Sequence, residues 1–358
     1  MKHRLFLIIA TLVGLGSITT SCSWDDELVV ANNDGDQKTP ISFNVNIGSL
    51  PDPEVTTRSN DPLGANASGA TRGAAAENGK DYEFVSGDLI GIGIKAPTSP
   101  TYPTSRSTTE EVKTYKVSST NTTTHKSELV YNGATATDKF QWLSKTEDVL
   151  LRAWSSGNNS TPTDPKTYVT ATPFKLTTDQ SSGYNEVLYS PEDTYSYTTD
   201  NGNIDIPLYH QLARVMITVT EDGGSTSTKT VTIGDGTMKL PKTATFADPN
   251  PTTNHYGTWT IKDTDETETI TPYPETPNQK YSAVLIPGTY AAGGNFINIA
   301  IGTSPNIETF HYTIPTGGIT LLAGKQYNYN ITIKNRLITF TVTVTDWTSD
   351  PRTIDFSE

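Results

Sequence analysis

From Leu337 to Trp347 the chain reads Leu-Ile-Thr-Phe-Thr-Val-Thr-Val-Thr-Asp-Trp. Ile338, Phe340, Val342 and Val344 share one side of an extended backbone, and Thr339, Thr341, Thr343 and Thr345 the other. A period of two is that of a β-strand with one buried face; a helix returns its apolar stripe every three or four residues. The same alternation runs through Ile41-Ser-Phe-Asn-Val-Asn-Ile47, through Ile90, Ile92 and Ile94 after a turn at Gly87-Asp88, through Ile204 to Tyr209, and through Tyr327 to Ile333. Seventeen Tyr against ten Phe, with abundant Thr, suit half-buried strands better than helices. The expectation is an all-β protein.

Further strands are expected at Leu129–Tyr131, Val149–Trp154, Glu186–Tyr189, Val215–Thr220, Val231–Ile233, Tyr256–Ile261, Tyr281–Ile286, Asn295–Ile301 and Glu308–Thr313, a spacing that suits β-sandwiches. About 330 residues follow the N-terminal apolar run, more than one core usually serves, so two domains are expected, 40–209 and 210–358, meeting near His210. Strand 41–47 is cut off from the rest of its domain by 48–79, a Pro-, Gly-, Ala-, Ser- and Asn-rich stretch holding Arg58 and Arg72. Such a segment reads as a protease-accessible loop, and a loop of this length within a domain calls for a function.

At the N-terminus, Lys2, His3 and Arg4 precede an apolar run from Leu5 to Gly16, too short to span a bilayer of ~30 Å. Residues 1–21 read as an export signal. Ile18-Thr-Thr-Ser21 leads to Cys22, the only cysteine, which excludes a disulfide framework and fits a lipoprotein signal peptidase site; Cys22 would carry the lipid. Residues 22–39, with an acidic Trp24-Asp-Asp-Glu27 stretch, read as a tether.

A net charge of -13 argues against nucleic acid as a partner and for a solvated surface. Apart from His3, the histidines His125, His210, His255 and His311 sit in separate segments without metal-ligand spacing, and no phosphate loop or nucleophile elbow is present. No cofactor, metal or catalytic residue is expected, and the protein reads as a non-enzyme. His210 reads as a packing residue at the domain junction.

Several segments together, in order, resemble the fimbrillins, pilus subunits of Bacteroidetes. They are Thr71-Arg-Gly-Ala74, Phe84-x-x-Gly-Asp-x-Ile-Gly-Ile92, Gln180 to Tyr189, His210-x-Leu-Ala-Arg214, Val284-Leu-Ile-Pro287, and Gly324-Lys-x-Tyr-x-Tyr329 ending at Asp346-Trp347. The resemblance implies two transthyretin-like β-sandwich domains in tandem and export as an outer-membrane lipoprotein precursor. It also implies removal of the first strand at the cell surface by an arginine-specific protease, after Arg72 or else Arg58. The departing strand would carry Ile41, Phe43, Val45 and Ile47 out of a groove. A neighbouring subunit's strand, for which Ile338, Phe340, Val342 and Val344 in 337–347 have the required two-faced form, would fill it by β-augmentation. Partners would be other pilus subunits, the protease, the membrane through the lipid, and a host glycan or protein through adhesion. Two alternatives stay open: an anchor subunit that keeps its lipid, and a non-polymerising surface lipoprotein whose Tyr102, Trp154 and Trp259 stack on sugars.

Overall fold

Strand 41–47 is built into the interior of a sheet, with chain segments far away in sequence on both sides of it. The structure is a computed structural model that describes residues 38–47, 84–98 and 106–347, apart from short gaps at 122–123, 158, 185, 201, 222–226, 237, 239, 250–253, 263–268 and 335–336. Cys22, Arg58, Arg72, the export signal, most of the tether and the 48–79 loop lie outside the described residues.

The first half contributes β1 (Thr39–Pro40), β2 (Ser42–Ile47), β3 (Leu89–Lys95), β4 (Glu111–Asn121), β5 (Lys126–Tyr131), β6 (Gln141–Trp142), β7 (Asp148–Ser155), β8 (Phe174–Lys175), β9 (Leu188–Ser196) and β10 (Asn203–His210). Seven of these close into a barrel in the order β10-β2-β5-β4-β3-β7-β9. The turn into β3 is made by Asp88, whose carboxylate accepts from the Val85 amide at 2.9 Å, and by Gly87 at φ 104°, a value that favours glycine. Gly91 lets β3 lie against β7: a Cβ there would meet the Trp154 ring at 2.4 Å. Inside the barrel Ile41, Phe43, Val45 and Ile47 join Ile90, Ile92, Tyr115, Phe140, Leu151, Ile204 and Ile206 in one core.

The second half contributes β11 (Ala213–Glu221), β12 (Lys229–Ile233), β13 (Thr243–Ala247), β14 (Thr258–Ile261), β15 (Tyr273–Thr276), β16 (Lys280–Leu285), β17 (Gly288–Tyr290), β18 (Asn295–Thr303), β19 (Asn306–Thr313), β20 (Ile319–Leu321), β21 (Lys325–Lys334) and β22 (Leu337–Asp346). A five-stranded sheet, β15-β16-β11-β21-β22, and a three-stranded one, β12-β18-β19, enclose a second core that includes Val215, Ile217, Ile233, Phe296, Ile299, Tyr329 and Ile331. β11 and β21 pair in parallel over eight positions, from Arg214↔Gln326 to Glu221↔Ile333.

The chain crosses between the cores more than once. β8 pairs with β13 through Thr243↔Lys175 and Ala244↔Phe174, and Phe174, Leu176, Tyr184 and Val187 pack into the second core. A small aromatic cluster, Trp154, Tyr189 and Phe246 with Tyr168 and Trp259 against it, lies between strands of the two halves. The described residues form one compact unit. The protein is all-β, a multi-sheet sandwich-like architecture with two hydrophobic cores. Among the described residues no helix is long and apolar enough to cross a membrane.

Candidate functional site: the seat of the first strand

β2 runs parallel to β10 with a register of six pairs, Asn203↔Ser42 to Leu208↔Ile47, and antiparallel to β5 at Asn44↔Glu128 and Val45↔Ser127. Neither neighbour is joined to it by a hairpin. Alternation sends Phe43, Val45 and Ile47 inward and leaves Ser42 exposed and Asn44 and Asn46 half-buried. Burying these three apolar side chains and Ile41 stabilises the fold by about 1.5–3 kcal/mol each before chain entropy is charged.

The seat is most specific at Phe43. Its ring meets Tyr115 edge-on at 5.0 Å and Phe140 at 6.4 Å, and the Phe140 amide donates to the Tyr115 hydroxyl at 2.9 Å. Burial pushes the Tyr115 phenol well above its ordinary range, against the opposing effect of the Phe140 hydrogen bond, so it stays a neutral wall. Upstream, the Ile41 amide donates to the Phe140 carbonyl at 3.0 Å, and β1 pairs with β6.

The outer face of the same three strands carries a polar clasp. Asp205 on β10 accepts from Asn44 Nδ2 on β2 at 2.9 Å, while its other oxygen pairs with Lys126 on β5. Partial burial pushes the Asp205 carboxyl up, but the hydrogen bonds from Lys126 and Asn44 outweigh it and hold the group below its ordinary value.

The closing strand, by contrast, sits at the edge of the five-stranded sheet. β22 pairs antiparallel with β21 over ten positions, from Lys325↔Asp346 to Lys334↔Leu337. Ile338, Phe340, Val342 and Val344 are only partly buried against the second core, Phe340 lying 5.1 Å from Tyr312, and Leu337 is 73% exposed. Directly after the strand comes Trp347, which is 3% exposed and stacks on His210 at 3.8 Å and 8°, with the Arg214 guanidinium 5.7 Å from its ring. Beneath it His210 Nδ1 lies 3.2 Å from Glu186, and Arg214 donates to Glu275 at 2.8 Å. The Trp347 amide donates to the Gly324 carbonyl at 2.7 Å, and Gly324 in turn donates to Leu212 at 3.0 Å.

The structure therefore brings together segments that are scattered in the sequence. His210, Leu212 and Arg214, Gly324 and Trp347 meet at one junction, and Gln180 joins it by hydrogen bonds to both backbone groups of Val284, at 3.0 and 2.9 Å. Within one chain β2 and β22 stay in different sheets. Trp154 is buried in the aromatic cluster, its indole donating to the Pro162 carbonyl at 3.3 Å, while Trp259 is half-buried against the same cluster and donates to the Gln211 carbonyl at 2.6 Å. Tyr102 lies outside the described residues. Among the described residues no three His, Cys, Asp or Glu side chains converge as a metal site.

Residues 71–347 match the model of the fimbrillin-like family. The chain belongs to the fimbrillin-like family. Two crystal structures resemble this fimbrillin-like chain at the level of fold. One is a candidate cell adhesion protein from Bacteroides uniformis, 16% identical with a TM-score of 0.54, the match covering 89% of this chain and all of that one. The other is a candidate cell adhesion protein from Bacteroides ovatus, 18% identical with a TM-score of 0.55, covering 87% of this chain and 98% of that one. A search of curated proteins gave no match. The family match begins at Thr71, so β2 lies upstream of it.

Proposed function

We propose that this fimbrillin-like chain is the precursor of a cell-surface pilus subunit, exported as a lipoprotein on Cys22, trimmed after Arg72 or Arg58, and assembled by donor-strand exchange to contribute to adhesion. The observation that carries the reading is the placement of β2. A strand that fills the middle of a barrel, with its neighbours β5 and β10 about 80 and 160 residues away in sequence, is followed by a stretch with two arginines and lies upstream of the family match. Its loss would open a groove between β10 and β5 with unpaired backbone groups along both walls.

A strand from a second subunit restores those hydrogen bonds and refills the apolar seats, which supplies affinity and register together. β22 suits the donor role because an edge strand leaves its sheet without breaking the pairs on its far side. Head-to-tail repetition of that contact does not close and so builds a filament. Lipid on Cys22 would be lost with the trimmed segment.

The seating of Trp347 favours one second reading, a terminal or anchor subunit that accepts a strand but keeps its own β22. The test is limited digestion of the purified protein with an arginine-specific protease, followed by intact mass and native electrophoresis. A subunit that both gives and takes a strand yields a ladder of oligomers. An accepting-only subunit stays monomeric yet captures a synthetic 337–346 peptide. A trimmed monomer that captures nothing sinks both.

A further inference from the structure

The two strands at the centre of the proposed exchange carry the same first three inward residues in the same order and a β-branched aliphatic residue at the fourth. β2 and the residue before it read Ile41-x-Phe43-x-Val45-x-Ile47, and β22 reads Ile338-x-Phe340-x-Val342-x-Val344. The correspondence is one of position as well as kind, because in both strands these residues pack against a hydrophobic core, with Ser or Asn between them in one and Thr in the other. We propose that β22 of one copy of this chain enters the groove of another in a single direction and register. It runs parallel to β10, with Ile338 in the place of Ile41, Phe340 in that of Phe43, Val342 in that of Val45 and Val344 in that of Ile47. The inference rests on the strand-exchange reading above and adds which way the donor runs and where it stops.

The seats decide the direction. Phe43 fills a space walled by Tyr115 and Phe140, whereas Val45 is fully enclosed. A reversed donor centred on Thr341 would drive Phe340 into the Val45 seat and leave Val342 in the Phe43 seat, overpacking one and hollowing the other. A slip of two residues misplaces Phe340 in the same way, and a slip of one turns the threonines inward. In the parallel register the only inward change is Ile47 to Val344, a single methylene at the end of the groove.

The outer face agrees. Thr341 takes the position of Asn44, next to Asp205 and Lys126, where its hydroxyl is able to donate to the carboxylate that Asn44 leaves. By the pairing of β2 with β10, Asn203 faces position 42 and Pro207 faces position 46, so a correctly placed donor sets Thr339 beside Asn203 and Thr343 beside Pro207.

Cysteine pairs read the register directly, since a disulfide forms only when the two Cα atoms lie within about 4.4–6.8 Å. In a Cys22→Ser chain, with Arg336→Lys and Arg352→Lys so that digestion leaves β22 attached, Asn203→Cys is combined with Thr339→Cys or with Thr343→Cys. After arginine-specific digestion and mild oxidation, the first pair is expected to give covalent oligomers on a non-reducing gel, at least ~10-fold more than the second. Dominance of the Thr343→Cys pair would establish a reversed donor, and equal yields a slipping one; either overturns the inference while leaving strand exchange intact. No oligomers on a native gel in any variant, together with no capture of a 337–346 peptide by the trimmed chain, would overturn strand exchange itself. As a check that needs no cysteine, a 337–346 peptide should block the ladder of the otherwise native chain, and its Phe340→Ala form should lose at least ~10-fold in potency while its Thr345→Ala form does not, because only the former empties the largest seat.

Discussion

Phe43 shows how one side chain fixes a register. It is 2% exposed, contacts two aromatic rings edge-on, and has no counterpart of its size elsewhere on β2. Phe43→Ala is expected to lower stability of the intact chain by about 3–5 kcal/mol, measured by urea unfolding, because the walls formed by Tyr115 and Phe140 cannot collapse fully into the gap. Gly91 carries the opposite constraint. Gly91→Ala places a Cβ on the Trp154 ring and should cost about 1–3 kcal/mol by overpacking, read as a fall in the urea midpoint. Asp205 supplies a pH signature. Its carboxyl titrates below its ordinary value in the folded chain, so its contribution is present above the unfolded value of about 3.9 and is lost as pH falls through the folded one. The stability gap between the native chain and Asp205→Asn should therefore be full near neutral pH and shrink toward zero in acid. A gap that is constant across pH 3–7 would contradict this.

Elements were legible where alternation was clean and hidden where it was not. β2, β10, β21 and β22 read directly, because β-branched and aromatic residues occupy one face and Ser, Thr or Asn the other. β4, with eleven residues the longest strand, was missed: in Glu-Val-Lys-Thr-Tyr-Lys-Val-Ser-Ser-Thr-Asn only Tyr115 and Val117 are buried, and Lys, Ser and Thr stand on both faces. β13 and β15 are short and rest on Ala, Thr and Pro, which carry little strand signal on their own. Parallel pairing of β2 with β10, and of β11 with β21, joins segments more than a hundred residues apart, and no local pattern encodes it. For the same reason the inward face of the candidate site was readable from Ile41 to Ile47, while the Asn44–Asp205–Lys126 clasp on its outer face was not. At this scale the edge position of β22 makes a further prediction. Amide hydrogen exchange in β22 should be faster than in β11, which is paired on both sides, and it should show β22 opening as a unit.

At the scale of the whole molecule, two cores share one chain, with Trp347, His210 and Arg214 tying the last strand to the start of β11 and with β8 carrying part of the first half into the second core. Trp347→Ala should loosen β22 selectively, raising exchange of its amides while leaving those of the barrel strands unchanged. Fold class followed from the strand pattern, but the convergence of Gln180, His210 to Arg214, Val284, Gly324 and Trp347 on one junction did not, since each takes part in a contact made only by folding. The central claim is that β2 is a removable strand whose place another copy takes. The measurement that decides it is the mass and native mobility of the purified chain, carrying Arg336→Lys and Arg352→Lys so that β22 stays attached, before and after arginine-specific digestion. Loss of a fragment ending at Arg72 or Arg58 is expected, together with a ladder of oligomers. A trimmed chain that remains monomeric and fails to capture the 337–346 peptide, or a chain that resists cleavage at both arginines, would contradict it.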